Sequence, residues 1–321
     1  MRPRVYWIRM PLPFALDHIN LWVVEEEGGW TLIDTGIDTP ETRGIWTHLL
    51  ENYFSRKPVQ RLICTHHHPD HMGLSGWLTE QYKIPLYTTQ REWDAFHLWE
   101  RLDQASLIET MRSFYRAGDV PCARQESDLE RRKSLRIRER MGPSGFSAMH
   151  DSEDMLVGGY KWQVCVGTGH SPELAALFCP EIEVLISGDQ VLPRISPNVS
   201  VMPFDIEANP LQEFLDSLSR FRQLPDSTLV LPSHKLPFFG LHERIDALLT
   251  HHEARLDDTI VACSKPVTAS EVVSVLFPRT LDDHQYFFAL GETFAHLNCL
   301  WHRGILERDI SLSGAIRFAV T

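Results

Sequence analysis

Ten consecutive residues, "CTHHHPDHMG" at positions 64 to 73, carry four histidines and an aspartate, in a chain with 16 histidines among 321 residues. Imidazole and carboxylate are the donor set of zinc and related first-row divalent ions, so His66, His68, Asp70 and His71 set alternating donors on one short loop. His67, lying between them, reads as a bystander rather than a donor. The preceding run, "VQRLIC", is β-rich and reads as a strand that delivers the cluster into a loop at its carboxyl end. α/β folds commonly place chemistry at such a position because a rigid sheet holds the loop.

One loop cannot supply two ions, and three later strand ends offer the remaining donors. His170 follows "WQVCV" in "VGTGHSPE", Asp189 ends "VLISGDQ", and His234 ends "TLVLPSHK". Gly167 and Gly169 allow the backbone to turn tightly beside an ion. Taken singly, each of these residues reads equally well as a capping aspartate or a surface histidine. In order, after an HxHxDH loop, they form a set.

The rest of the chain supports an α/β body with additions. "INLWVVEE" and "GWTLIDTG" are β-rich runs joined by the turn "EGG" and predict a hairpin; Ile45, Leu49 and Phe54 in "TRGIWTHLLENYF" have helical spacing. From about residue 91 to residue 150 the pattern becomes helical, first in "REWDAFHLWERLDQASLIETMRSFYRAG" and then in the charged "ESDLERRKSLRIRERM", which predicts an inserted helical lid. Its first helix offers Trp93, Phe96, His97 and Trp99 as pocket or packing residues. A boundary falls near Leu241 to Ala247, giving a catalytic domain over 1–245 and a mainly helical domain over 246–321 whose strand content is low until "GAIRFAV". The 43% hydrophobic and 23% charged content suits a globular enzyme, and no 18-residue apolar run could span a bilayer. Six scattered cysteines with no CxxC suit reduced thiols, and the Arg- and Pro-interrupted N-terminus reads poorly as a signal peptide, so a cytoplasmic protein is expected.

"HHHPDH", "GTGHSPE", "SGDQ" and "PSHK", in that order and preceded by "LIDTG", resemble the metallo-β-lactamase superfamily over roughly residues 15 to 245. The resemblance implies a four-layer αββα sandwich with its metal site at one edge of two sheets. It implies that His66, His68 and His170 hold one divalent ion, that Asp70, His71 and His234 hold a second, and that Asp189 bridges them. Zinc is the expected metal, with iron or manganese also compatible. Asp34 of "IDTG" would sit behind the ligands, and His18 reads as a structural histidine. The aspartate at 189 resembles the hydroxyacylglutathione hydrolase and lactonase branches, and His68 stands where the oxygen-reducing diiron branch carries a glutamate. The tail, in "KPVTASEVVSVLF" and "AHLNCLWHRGILER", resembles a winged-helix-like C-terminal domain.

The leading expectation is a dinuclear hydrolase in which a metal-bridging hydroxide attacks the carbonyl of a small thioester, ester or lactone, with Asp70 orienting the hydroxide or shuttling a proton. Arg131, Arg132, Lys133, Arg136, Arg138 and Arg140 could grip an anionic substrate tail or simply form a solvated helix face. The competing expectation is an endoribonuclease or phosphodiesterase whose tail holds RNA through Lys265, Arg279, Trp301, Arg303 and Arg308, against which a net charge of −12 weighs. A third reading has Phe287, Leu290, Phe294 and Leu297 bury against a second copy in a homodimer. No GxSxG motif supports a nucleophilic serine.

Overall fold

Apolar runs in the first third form strands, and those at residues 19–24 and 30–33 are buried on both faces. In a computed structural model that describes residues 4–14, 16–135 and 142–321, β1 (Val5–Pro11), β2 (His18–Glu25), β3 (Trp30–Ile33), β4 (Val59–Ile63), β5 (Leu86–Thr88) and β6 (Ser147–Ala148) make a six-stranded sheet in that order. The first three strands pair antiparallel and the rest parallel. The predicted hairpin is the β2–β3 pair, closed by a 2.9 Å bond from Glu26 N–H to Gly29 C=O. A five-stranded sheet follows from β7 (Asp154–Val157), β8 (Tyr160–Gly167), β9 (Leu174–Cys179), β10 (Val184–Gly188) and β11 (Leu229–Pro232), in the order β11-β10-β9-β8-β7, with only β10 and β11 parallel.

The period-two geometry of β2 shows how the layers stack. Trp22 and Val24 join Val164, Val166, Leu177 and Ile186 of the second sheet in one core, while Ile19, Leu21 and Val23 face a second core. A strand clad on both sides reads as a continuous apolar run, which is how "INLWVV" reads. The second core is roofed by α1 (Pro40–Asn52), through Trp46 and Leu50, and by residues flanking or within α2 (Pro69–Met72), α3 (Ser75–Tyr82) and α4 (Gln90–Arg101), namely Met72, Leu78 and Phe96. Thr39 caps α1 by accepting from Thr42 N–H, with Pro40 at the first helical position. The result is the expected α/β sandwich.

The chain divides into two compact units. The described residues of 1–100, 140–197 and 217–245 form the first; those of 101–139, 198–216 and 246–321 form the second. Of the expected insertion, α4 lies in the first unit, where Phe96 is buried and Trp93 stacks on Phe146 at 4.4 Å. Those two rings pack the body. The next helices, α5 (Gln104–Ala117) and α6 (Cys122–Leu135), belong to the second unit, which also contains most of α8 (Leu241–Ala262), after the shared α7 (Pro210–Phe221), together with α9 (Ala269–Leu276) and α10 (Asp283–His302).

Phe114 of α5 packs against Phe287 and Phe294 of α10, so the apolar residues assigned to a partner chain face their own unit. Phe287, Leu290, Phe294 and Leu297 are all buried there, which corrects that reading of the stretch. The unit's sheet, in the order β12-β14-β13, comprises β12 (Val267–Thr268), β13 (Leu306–Ile310) and β14 (Ile316–Val320). β13, "LERDI", is a strand that the charged sequence hid.

The second unit also buries His252 and His296, with ring centroids 5.6 Å apart, beside Glu292. Burial, helped by neighbouring His251 and Arg255, pushes His252 down to about 3 and His296 to about 4. Burial pushes Glu292 up to about 7. Below the ordinary histidine value the unfolded chain takes up protons on both rings while the folded chain does not, so this pair costs stability as pH falls. Glu292 acts in the opposite sense, holding its proton in the folded state, but with one group against two. We expect urea stability to fall from pH 7 to pH 5, and the fall to be shallower in a His252→Phe variant. Parallel pH profiles for the two proteins would remove the cluster as its cause.

Candidate metal centre

The ends of β4, β8, β10 and β11 carry the donors, and local backbone geometry aims each one. Gly169 and Gly188, each one residue before a donor, have φ of +93° and +53°, a left-handed conformation that glycine adopts without strain. His170 and Asp189 therefore leave their strands at a sharp turn. His234 sits in a loop held by Asn20 of β2, whose side-chain amide donates to the carbonyls of Pro232 and Lys235 at 2.9 and 2.7 Å. Asn20 N–H also donates to Ser233 C=O at 2.6 Å.

Seven sequence-predicted donors converge. His66 Nε2 lies 2.9 Å from His68 Nδ1 and 3.2 Å from His170 Nε2. His234 Nε2 lies 3.5 Å from Asp70 Oδ2, and His71 Nε2 lies 3.8 Å from the same oxygen. Asp189 stands between the two sets, with Oδ2 at 3.6 Å from His170 Nε2 and 3.5 Å from His234 Nε2, and Oδ1 at 3.6 Å from His71 Nε2. Among the described residues three groups could each hold an ion: His66, His68 and His170; His66, His71 and Asp189; and Asp70, His71 and His234.

The donor chemistry fits divalent ions. Three imidazole nitrogens around one point cannot all be satisfied by hydrogen bonds to one another, yet ligands about 2.0–2.1 Å from a tetrahedral ion sit about 3.3 Å apart. His71 Nε2 and Asp189 Oδ1 are buried with no hydrogen-bond partner among the described residues. Both atoms face the other donors of the cluster, where a bound ion would satisfy them.

The outer nitrogens are fixed by the fold. Asp34 Oδ2 takes His71 Nδ1 at 2.8 Å, and Asp34 Oδ1 accepts from Thr65 N–H at 2.7 Å. Asp34 itself has φ of +62°, a conformation that aspartate tolerates better than most residues, and its N–H is anchored to Ile63 C=O. His234 Nδ1 is 3.1 Å from the carbonyl of His18, so His18 contributes its main chain while its ring meets Asp17 and Arg9. Holding the outer nitrogen selects the tautomer whose other nitrogen presents a lone pair inward.

Electrostatics separate the rings. Burial, with His71, His68 and His170 adjacent, holds His66 well below the ordinary histidine range, and burial with His170 adjacent does the same for His68. Burial also opposes charge on His71 and His234, but Asp34, Asp70 and Asp189 outweigh it, lifting His71 well above that range, and Asp189 with Asp70 lifts His234 to about 10. Asp189, despite burial, is held well below the carboxylate range by His234 and His71. Cys64, beneath the site, is buried and its thiol is pushed well up by burial and by Asp34, which disarms it as a nucleophile.

Sequence reasoning missed Asn20 and Glu92. His67, read as a bystander, meets Glu92 through Nδ1 at 2.6 Å. Arg131 and Arg132, offered as grips for an anionic tail, both pair with buried Asp128, and Arg132 lies 4.3 Å over the Phe287 ring. Arg136, Arg138 and Arg140 lie outside the described residues, as does the side chain of Lys133.

An α/β sandwich with imidazoles and carboxylates gathered at the strand ends of its two sheets is the frame of a metal-dependent hydrolase. The chain belongs to the metallo-beta-lactamase superfamily, whose family model matches residues 15–234; residues 256–321 match a model for the metallo-beta-lactamase-like C-terminal domain. A beta-lactamase domain protein from Burkholderia ambifaria is 41% identical, covering 100% of this chain and 93% of its own, with a TM-score of 0.91. A metallo-beta-lactamase family protein from Thermus thermophilus is 30% identical over 99% of this chain and 98% of its own, with a TM-score of 0.82. A probable metallo-hydrolase of Bacillus subtilis is 28% identical over 91% of each chain.

Asp34→Asn should retain the fold, since asparagine tolerates the same backbone conformation, but it presents an amide to donors and unsettles the His71 tautomer. We expect divalent-ion affinity, measured by competition with a coloured chelator, to fall about 10- to 100-fold. Unchanged affinity would show that Asp34 does not orient His71.

Proposed function

We propose that this chain is a dinuclear metal-dependent hydrolase of a small thioester, ester or lactone. In this reading His66, His68 and His170 hold one divalent ion, Asp70, His71 and His234 hold the other, and Asp189 is shared. The observation that carries it is the position of Asp189, within 3.6 Å of ring nitrogens from both histidine sets. Zinc is the favoured metal, and iron or manganese suits the same donors.

When bound, the ions would supply Lewis acidity toward the carbonyl oxygen and an activated water. The chain's own contribution is placement and charge. Asp189 and Asp70 bring negative charge to balance the cations, and Asp34 and the His18 carbonyl keep His71 and His234 in register. Asp70, whose side chain is 20% exposed, could orient the activated water or accept a proton through the carboxylate oxygen that does not meet the ion, and return it to solvent. His66 and His68, held neutral, need lose no proton to act as ligands, whereas His71 and His234 must each release one.

The catalytic domain in this proposal spans 1–245 and the C-terminal domain 246–321. A cytoplasmic setting suits the six cysteines, all of which are free. Among the described residues no helix is long and apolar enough to cross a membrane.

Elemental analysis of the purified chain should find two divalent ions, and a panel of thioesters, lactones and phosphodiesters should show turnover concentrated on the carbonyl substrates. Preference for phosphodiesters would favour the nuclease reading instead. Asp189→Ala should lose occupancy of at least one ion and most of its turnover. One ion in a fully active chain would sink the dinuclear form, and unchanged activity without Asp189 would overturn the assignment.

A further inference from the structure

Glu92, in the first turn of α4, is completely buried, and four donors surround its carboxylate. Oε2 accepts from the His67 backbone N–H at 2.9 Å and lies 2.6 Å from His67 Nδ1. Oε1 accepts from Ser171 Oγ and from Glu173 N–H, both at 2.7 Å. The same turn reaches the second loop again, where Thr89 Oγ1 donates to Glu173 C=O at 2.8 Å.

His67 lies between His66 and His68, and Ser171 directly follows His170. These two loops leave strands of different sheets, β4 in the six-stranded sheet and β8 in the five-stranded one. One carboxylate therefore spans the gap between the sheets at the level of the first histidine set. Two of its four partners are backbone N–H groups, so it fixes the path of the chain as well as the pose of side chains. A buried carboxylate is costly unless its lone pairs are filled, and here each oxygen has two donors. A space-filling residue or a complement to the helix dipole would need none of this.

We propose that Glu92 is a positioning residue that sets the spacing of His66, His68 and His170, and so the affinity of the ion position those three would hold. It rests on the dinuclear reading above. The Asp70, His71 and His234 set shares the 66–71 loop with the first set and meets it again at Thr65, but its outer nitrogens rest on other groups, Asp34 for His71 and the His18 carbonyl for His234, and Asn20 holds the His234 loop.

Glu92→Gln is the decisive variant. It preserves volume, but its amide turns two N–H groups toward donors, so one of the two loops loses its acceptor. In the full chain, stripped of metal and titrated against a chelator, the native protein should show two classes of ion affinity. In Glu92→Gln one class should weaken about 10- to 100-fold, as is usual when a group supporting a ligand is lost, while the other holds. Ser171→Ala, which removes a single donor and leaves the carboxylate in place, should weaken the same class by less, and it carries the test if Glu92→Gln does not fold. Glu92→Gln combined with His67→Ala should be no worse than Glu92→Gln alone, because both act on one network. Two unchanged affinity classes in a folded Glu92→Gln or in Ser171→Ala would overturn the inference and leave the dinuclear reading intact. A native chain that binds no divalent ion would overturn both.

Discussion

The structure turns on burying many ionisable groups at one place. Asp34, Glu92, Asp189, His66, His71 and His234 are all nearly inaccessible to solvent. Charge removed from water is expensive unless each atom finds a partner, so the ends of the two sheets had to be arranged as a shell of complementary groups. His71 leans on Asp34, His234 on a carbonyl, and Asp34 on Thr65. Every outward-facing atom in that chain is committed, which leaves the inward-facing ones free to converge. The sandwich supplies rigidity to strand ends, while the interior core between Trp22, Ile33, Val164 and Leu177 keeps the sheets from sliding apart.

The division into two units assigns the helices unequal work. α4 is wedded to the sandwich by Phe96 and by its buried carboxylate, whereas α5 and α6 serve the second unit, where Phe114 completes the packing of α10. The helical segment that looks continuous in sequence is thus used by two cores. Its basic residues follow the same logic. Arg131 and Arg132 neutralise Asp128 inside their own unit.

How much of this could be read in advance depends on residue type. The seven side chains that gather at the sheet ends were legible as a set because few residue types can hold a divalent ion and because these recur at strand ends in a fixed order. The β2–β3 hairpin and α1 were legible from period and from turn residues. Asn20 was not, since one amide inside "INLWVV" looks like an interruption of an apolar strand until the loop it clamps is seen. Glu92 was hidden for the opposite reason: a glutamate in a first helical turn is common on electrostatic grounds alone. β13 escaped because charged residues on a strand with exposed positions break the alternation that marks strands. The apolar stretch in α10 left burial against a second copy open as one reading, because its own unit, built from segments far apart in sequence, cannot be assembled from local pattern.

β2 gives this fold a sharp asymmetry in its tolerance of length changes. Alternate side chains of the strand enter two different cores, and Asn20, with the carbonyl of His18, reaches a loop more than two hundred residues away. A single residue added within the strand would exchange the faces of everything beyond it, turning Trp22 toward the helices and unhooking the loop that bears His234. The same residue added between Glu27 and Gly28, the exposed positions of the turn that follows, would leave both cores in place. Divergent members of this lineage should therefore vary in length at that turn and keep the spacing from His18 to Val24 constant.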